Sequence, residues 1–315
     1  MLEARAILGQ FGLLGTCRLD PGLRNAPHRT RQHCKLLKCF GVMGRRILAC
    51  ESGSICALFS GCMGLRSRTV IVVPCFNEAT RLKCDAFESA LKNEPLLEFI
   101  FVDDGSTDAT AEVLNQMHQR AGDRAHVLEI HPNQGKANAV RAGVLRAFEL
   151  DAALIGYWDA DLATPLGCIE LFAEELEVRG VSLILGSRVR MMGRNIARSP
   201  VRHYIGRCFA TLAAFSLGFA VYDTQCGAKL FRASPVIRSA FSQKFEMNWT
   251  FDVELLQRLG SQEARSSGFE VERECSEYPL PEWVDAPGSK LTIGQYPRIL
   301  RELMQLTIQR LGRFR

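Results

Sequence analysis

Nothing in these 315 residues approaches the roughly 20 consecutive apolar residues that cross a bilayer. The nearest candidate, residues 209–221, is too short and reads as a buried helix. None of the 12 cysteines stands in a C-x-x-C pair and no paired histidines accompany them, which argues against a zinc cluster or a disulfide scaffold and for a reduced compartment. Neither G-x-G-x-x-G nor G-x-x-x-x-G-K-[ST] follows any strand-like run. A dinucleotide fold and a P-loop are thereby unsupported, and any phosphate must be gripped another way. What is present, 47% hydrophobic and 23% charged side chains, belongs to an ordinary globular chain and excludes disorder and collagen.

The net charge of +5 is uneven. Residues 1–68 hold 11 Lys and Arg against 3 acids, leaving 28 against 31 in the remainder. Six cysteines also fall in this leader (Cys17, Cys34, Cys39, Cys50, Cys56, Cys62). An Arg-rich, acid-poor start is similar to a transit peptide, but Gly9, Gly12, Gly15, Pro21 and Pro27 break its helical period. The leader reads as a poorly structured or wrongly translated extension with Met63 as the start.

From Thr69 the pattern changes. Residues 69–74 (T-V-I-V-V-P) and 99–103 (F-I-F-V-D) are continuous apolar runs of the kind covered on both faces of a parallel sheet. The pattern predicts further strands at 126–130, 153–158 and 181–185, with helices at 77–91, 108–120, 136–150 and 166–179. Five strands separated by four helices describe an α/β doubly wound, mostly parallel sheet, whose ligands gather beyond the carboxyl ends of the strands. Acids recur at that edge: Glu78 after the first strand, Asp103 and Asp104 after the second, Asp159 and Asp161 after the fourth.

Each of these has an ordinary reading beside a chemical one. Asp159-Ala160-Asp161 is either a surface turn or a pair of hard oxygen ligands for Mg²⁺ or Mn²⁺ on a diphosphate; its place after the fourth strand favours the second. Asp103 and Asp104 either bond their own turn or accept from a nucleoside, and two acids closing a buried strand favour the nucleoside. Arg188 closes the fifth strand, where a guanidinium can grip phosphate oxygens. Arg190, Arg194, Arg198, Arg202 and Arg207 mostly read as a solvated run, with Arg198 or Arg202 as a receiver for a second phosphate. Residues 222–229 form either a polar hairpin or a loop returning to the site. Asp252 and Glu254 either complement a helix dipole or serve as base or orienter. Cys75, Cys208 and Cys226 read as packing residues.

Seven ordered motifs, V-V-P-C-F-N-E-A (72–79), F-V-D-D-G-S-T-D-A-T (101–110), N-Q-G-K-A-N-A-V-R-A-G (133–143), D-A-D-L-A-T-P (159–165), G-S-R (186–188), D-T-Q-C-G-A-K-L-F (223–231) and W-T-F-D-V-E-L-L (249–256), resemble the family 2 inverting glycosyltransferases of GT-A fold. The likeness is greatest to the dolichyl-phosphate β-glucosyltransferase branch and its bacterial polyprenyl-phosphate relatives. It spans roughly residues 69–295, which makes that stretch the expected catalytic domain and 296–315 an appended helix. The resemblance implies that Pro74, Phe76, Glu78, Val102 and Asp104 contact the nucleoside. Asp159, Ala160 and Asp161 would hold Mg²⁺ or Mn²⁺ and the diphosphate, with Arg188 and Lys290 of Gly288-Ser-Lys-Leu291 completing a phosphate cage. UDP-glucose is the implied donor and polyprenyl phosphate the acceptor; no nucleic-acid partner is expected. Phe76 replaces the tyrosine often found in the family, and Leu162 stands where the branch commonly has glycine. Eukaryotic members carry an N-terminal membrane helix that this leader does not supply. A lipid monophosphate is already ionised, so Asp252 is expected to position rather than deprotonate. A saccharide acceptor would need a base there, and a non-catalytic sensor would have less need of paired metal ligands. The tail sets Ile299, Leu300, Leu303, Leu306, Ile308 and Leu311 among five arginines. It either lies on an anionic bilayer or packs on the body, so the expected location is the cytoplasm with a peripheral hold on the membrane's cytoplasmic face.

Overall fold

A computed structural model describes residues 64–197, 200–284 and 295–312. Residues 1–63 of the leader, the phosphate role for Arg198 and the cage residue Lys290 lie outside the described residues, whereas the leader's last five residues are ordered on the body, with Leu65 buried and Arg68 paired with Glu98. Alternating segments build one seven-stranded sheet: β1 (Thr69–Cys75), α1 (Cys84–Asn93), β2 (Leu97–Asp103), α2 (Thr110–Ala121), β3 (Ala125–Glu129), α3 (Lys136–Glu149), β4 (Leu154–Trp158), α4 (Cys168–Arg179) and β5 (Leu183–Ser187). After β6 (Asn195–Ala197) and α5 (Pro200–Leu217) come β7 (Ala228–Arg232), α6 (Pro235–Ala240), α7 (Phe251–Leu259), α8 (Gln262–Ser266), α9 (Val271–Glu274), β8 (Cys275–Pro279), β9 (Glu282–Val284) and α10 (Tyr296–Gly312). The strand order is β3-β2-β1-β4-β7-β5-β8, and β6 pairs with β9 in a separate ribbon.

All five expected strands form, and β1 pairs in parallel with both β2 and β4. Two features of the sheet depart from the expectation. β7 runs antiparallel between β4 and β5, so those strands are not neighbours, and β8 extends the sheet beyond β5. The first helix begins at Cys84 rather than Asn77 because the intervening residues are tied to the next loop. Asn77 N donates to Ser106 Oγ (3.0 Å), Glu78 N to Thr110 Oγ1 (2.8 Å) and Ala79 N to Asp108 Oδ2 (3.2 Å). Side chains that suit a helix start are here spent on locking two strand-end loops together.

The strand period of two sends alternate residues to opposite faces. Val70, Val72, Ile100, Val102 and Tyr157 meet α3, α5 and α7 on one side. Ile71, Val73, Phe99, Phe101 and Trp158 meet α1 and α4 on the other, where Phe87 stands edge-on to Phe99 and Phe101 at 5.1 Å. Gly143 of α3 lets the helix settle on the sheet, since a Cβ there would come within 2.3 Å of Val72 Cγ1. No helix among the described residues is long and apolar enough to cross a membrane.

Candidate active site

A cleft of about 660 Å³ opens at the carboxyl edge of β1, β2, β4 and β5. Pro74, Phe76, Glu78, Asp104, Asp159, Ala160, Asp161, Arg188 and Asp252 all line it. Val102 does not: its side chain is fully buried beneath α3, because its register on β2 points it into the core. A side-chain contact between Val102 and a nucleoside is therefore not available.

The two acids after β2 divide the roles proposed for them. Asp103 bonds its own turn, accepting from Ser106 N at 3.0 Å and from Ser106 Oγ. Asp104 reaches the cleft but also fastens its wall, accepting from Gln134 N and Gly135 N at 2.8 Å each. Burial raises the Asp104 pKa despite those two bonds. On the β1 loop, Glu78 is clasped by Arg81 through Nε (2.9 Å) and Nη2 (2.5 Å), so the two face the cleft as a pair.

The acids after β4 carry unbalanced negative charge. Burial raises the Asp161 pKa, and the neighbouring Asp159 and Glu78 raise it further against a bond from Ala163 N (3.0 Å). Lys136, the first residue of α3, places its Nζ 2.5 Å from Asp159 Oδ1. Burial opposes the ammonium, but Asp159, Asp252 and Asp161 together outweigh it and raise its pKa. Gly227 lies directly against the other oxygen: a Cβ there would stand 1.8 Å from Asp159 Oδ2. The turn closing this motif holds Leu162 at φ 52°, in the left-handed region that costs a branched side chain roughly 1–2 kcal/mol. That backbone explains why glycine suits the position.

Arg188 enters the cleft already paired. Its Nε and Nη2 donate to the two oxygens of Asp223 at 2.7 Å each, and its guanidinium sits 5.4 Å from the Trp283 ring. Burial works against the charge, yet Asp223 outweighs it and raises the pKa. Glu277 on β8 positions Asp223 by accepting from Tyr222 N and Asp223 N at 2.8 Å. Residues 222–227 are thus the returning loop and not a hairpin. Within it Thr224 Oγ1 and Gln225 Nε2 are buried with no hydrogen-bond partner among the described residues, although both residues border the cleft. Arg207, expected on a solvated run, also borders the cleft, its guanidinium 3.9 Å over the Tyr222 ring.

Asp252 belongs to a buried set that the sequence did not announce. Lys229 Nζ, fully buried, donates to Asp252 Oδ1 (2.6 Å), Thr224 O (2.9 Å) and Cys226 O (2.8 Å). Tyr157 Oη donates to the same carboxylate oxygen, and burial followed by the Asp252 charge raises its pKa well above the ordinary value. Glu254 faces elsewhere, accepting from Glu246 N, Met247 N and Arg258. The tail helix fixes this region: Glu302 of α10 accepts from Trp249 N, Thr250 N and Thr250 Oγ1 at 3.0 Å, anchoring the start of α7. Packing of α10 on the body is therefore observed. Of the residues the sequence reading missed, Lys136 and Asp223 lie inside quoted motifs and were within reach. Arg81 and Tyr157 gave no periodic or positional signal.

A doubly wound sheet whose strand-end carboxylates line one cleft of about 660 Å³ is the architecture of a GT-A glycosyltransferase. The profile of glycosyl transferase family 2 matches residues 70–239. Among curated relatives, the dolichyl-phosphate β-glucosyltransferase of Drosophila melanogaster is 33% identical over 70% of this chain and 68% of its own length. One from Trichomonas vaginalis is 30% identical over 76% of this chain and 71% of its own. The Homo sapiens protein of the same name is 34% identical over 59% and 61%. Among solved structures, glucosyl-3-phosphoglycerate synthase from Mycobacterium tuberculosis, in complex with Mn²⁺, UDP and glucosyl-3-phosphoglycerate, aligns with a TM-score of 0.53 at 18% identity over 78% of this chain and 81% of that one. A mannosyltransferase from Pyrobaculum calidifontis with GDP-Man and Mn²⁺ gives 0.51 at 16% over 80% and 66%. The chain belongs to glycosyl transferase family 2, and it is a glycosyltransferase.

Proposed function

We propose that this enzyme transfers glucose from UDP-glucose to dolichyl phosphate or a related polyprenyl phosphate, at the cytoplasmic face of a membrane. The observation that carries the reading is a single cleft lined by two unlike sets of residues. The strand-end side contributes Asp159, Asp161 and Lys136; α5, α10 and the residues before α7 contribute Ile205, Phe209, Ala210, Trp249 and Ile299, together with Arg207. An anion with an apolar tail suits the second set as a nucleotide diphosphate suits the first. The curated relatives named above supply the choice of glucose and dolichyl phosphate.

The donor set fits a divalent cation. Two carboxylates under mutual repulsion face the cleft, one already drawing an ammonium to 2.5 Å. Among the described residues no group of three His, Cys, Asp or Glu could cage an ion. Mg²⁺ and Mn²⁺ suit such a pair, since they are held by one or two carboxylates together with substrate phosphates. Asp159 and Asp161 would hold the ion, which when bound neutralises charge building on the departing diphosphate.

The chain's own groups account for the remaining chemistry. Lys136 lies within reach of the same charge and supports the leaving nucleotide. Arg188, held in one orientation by Asp223, presents a fixed guanidinium edge rather than a mobile one. An acceptor phosphate oxygen forms its bond to the anomeric carbon as the bond to the diphosphate breaks. That oxygen is ionised near neutral pH and needs no proton removed. Asp252 agrees with this acceptor: Oδ1 already accepts from Lys229 and Tyr157, so the carboxylate is engaged as an anchor.

The test is a screen of UDP and GDP sugars against short-chain polyprenyl phosphate and against free saccharides, with Mg²⁺, Mn²⁺ or chelator. Product only from UDP-glucose, polyprenyl phosphate and a divalent ion supports the assignment. Transfer to a saccharide hydroxyl, or donor hydrolysis indifferent to acceptor, overturns it.

A further inference from the structure

Residues 245–250, which lead into α7, have no strand or helix ladder to satisfy their backbone. Amides without a ladder need another acceptor, and two carboxylates provide it. Glu254, inside α7 itself, accepts from Glu246 N at 3.0 Å and Met247 N at 2.9 Å. Glu302 comes from α10, 52 residues beyond Thr250, and its Oε2 accepts from Trp249 N, Thr250 N and Thr250 Oγ1. Thr250 is the N-cap of α7, where a hydroxyl ordinarily accepts from its own helix. Here the hydroxyl makes no such bond and donates to Glu302 instead. A carboxylate from a distant helix thus replaces the missing cap and lies at the positive end of the α7 dipole.

The segment held in this way forms part of the cleft. Asn248, Trp249, Phe251 and Asp252 line it, and so does Ile299, one turn before Glu302 on α10. Asp252 stands two residues past Thr250, so the bonds that fix Thr250 also fix the direction from which Asp252 meets Lys229 and Tyr157. Glu302 is itself held in place. It is only 9% exposed, its neighbours Leu303 and Leu306 are buried, and Arg298 Nε approaches its other oxygen at 3.5 Å. Stability alone does not call for a buried carboxylate here, because Thr250 could cap α7 in the ordinary way. What the distant carboxylate adds is a tie between the tail helix and the wall of the cleft.

We infer that Glu302 is a positioning residue for glycosyl transfer, fixing the start of α7 so that Trp249, Phe251 and Asp252 form the wall that receives the acceptor. The inference rests on the proposed polyprenyl phosphate for which substrate feels its loss, and on the hydrogen bonds alone for the placement of the wall. α10 then belongs to the working site and is not an appendage to it. The sequence offered no signal for this role, since a single acid among the arginines of the tail resembles a solvated charge.

The full chain and its Glu302→Ala, Glu302→Gln and Leu306→Ala variants would be assayed with UDP-glucose, Mn²⁺ and short-chain polyprenyl phosphate, with amide hydrogen exchange followed on the same proteins. Glu302→Ala should raise the KM for polyprenyl phosphate at least about tenfold while the KM for UDP-glucose stays within about twofold. Amides 249–252 should exchange at least about tenfold faster. Glu302→Gln keeps a carbonyl oxygen for the same donors and should recover most of the loss. Leu306→Ala loosens α10 in the core without taking an acceptor from Thr250, so it should lower the thermal midpoint and leave both KM values alone. Should Glu302→Ala fail to fold, Thr250→Val removes the hydroxyl's bond alone and should show the same one-sided rise at about threefold. KM values that rise together, the same split in Leu306→Ala, or unchanged exchange at 249–252 would overturn the inference. A wild type that glycosylates a saccharide and not polyprenyl phosphate would sink the acceptor reading, while faster exchange at 249–252 in Glu302→Ala would still uphold the placement of the wall.

Discussion

Replacing Gly227 by alanine tests the diphosphate end of the cleft with a single methyl group. An ideal Cβ at this position would lie 1.8 Å from Asp159 Oδ2, 2.2 Å from its Cγ and 2.6 Å from Oδ1. Ordinary contact begins near 3.4 Å, so the carboxylate must retreat by 3.4 − 1.8 = 1.6 Å. The move is a side-chain rotation, and the strand bond from Asp159 N to Gly227 O (2.9 Å) need not break. Stability should therefore change by no more than about 1 kcal/mol. Function should not be spared, because ligand positions in metal sites hold to about 0.2 Å. Disturbing such a shell costs about 10- to 100-fold in cation affinity. Mn²⁺ binding in the presence of UDP, followed by electron paramagnetic resonance, and the thermal midpoint give the two readouts. Gly167→Ala, with nothing within 4 Å of its added Cβ, is the control. Wild-type Mn²⁺ affinity in a folded Gly227→Ala enzyme would refute the placement of the cation on Asp159.

Lys136→Met removes the ammonium that now occupies Asp159, so Mn²⁺ should bind several-fold more tightly without nucleotide while turnover falls; weaker binding would make the lysine a positioner of the carboxylate instead. Lys229→Met strands Asp252 as an uncompensated buried charge and should cost about 3–5 kcal/mol in denaturant unfolding, part of it regained by adding Asp252→Asn. Asp252→Asn alone keeps an acceptor for Lys229 and Tyr157 and should lose less activity than Asp161→Asn; equal and complete loss in two folded variants would count against Asp252 as an anchor. Glu98 supplies a pH test remote from the cleft. Burial pushes its pKa up, but Arg68 (2.6 Å) and His126 (3.0 Å) outweigh that and hold it below the usual range. A depressed carboxylate contributes stability above its unfolded pKa and loses it as pH falls through the folded one. Below about pH 4.3 the wild type should therefore lose stability more steeply than Glu98→Gln, and parallel acid limbs would show that the pairing contributes nothing.

The primary sequence was sufficient wherever the signal was local. Continuous apolar runs at 69–74 and 99–103 dictate strands covered on both faces, and the wholly buried β2 shows it. Strand-end acids at Glu78, Asp104, Asp159 and Asp161 follow from chain order alone, since parallel strands bring every carboxyl end to one edge. Tertiary structure decided what depends on distant partners. β7 carries a lysine at its second position and so resembled a polar loop; Lys229 can be buried there only because Asp252, 23 residues later, receives its charge. Asn77 and Glu78 fit a helix start equally well, and only Ser106 of the neighbouring loop and Thr110 at the start of α2 settled them as loop. Helical periodicity gave α10 one apolar stripe to bury. That both it and α5 keep a second stripe in the open is fixed by the single core they share, because a side chain's burial depends on what the rest of the chain sets against it.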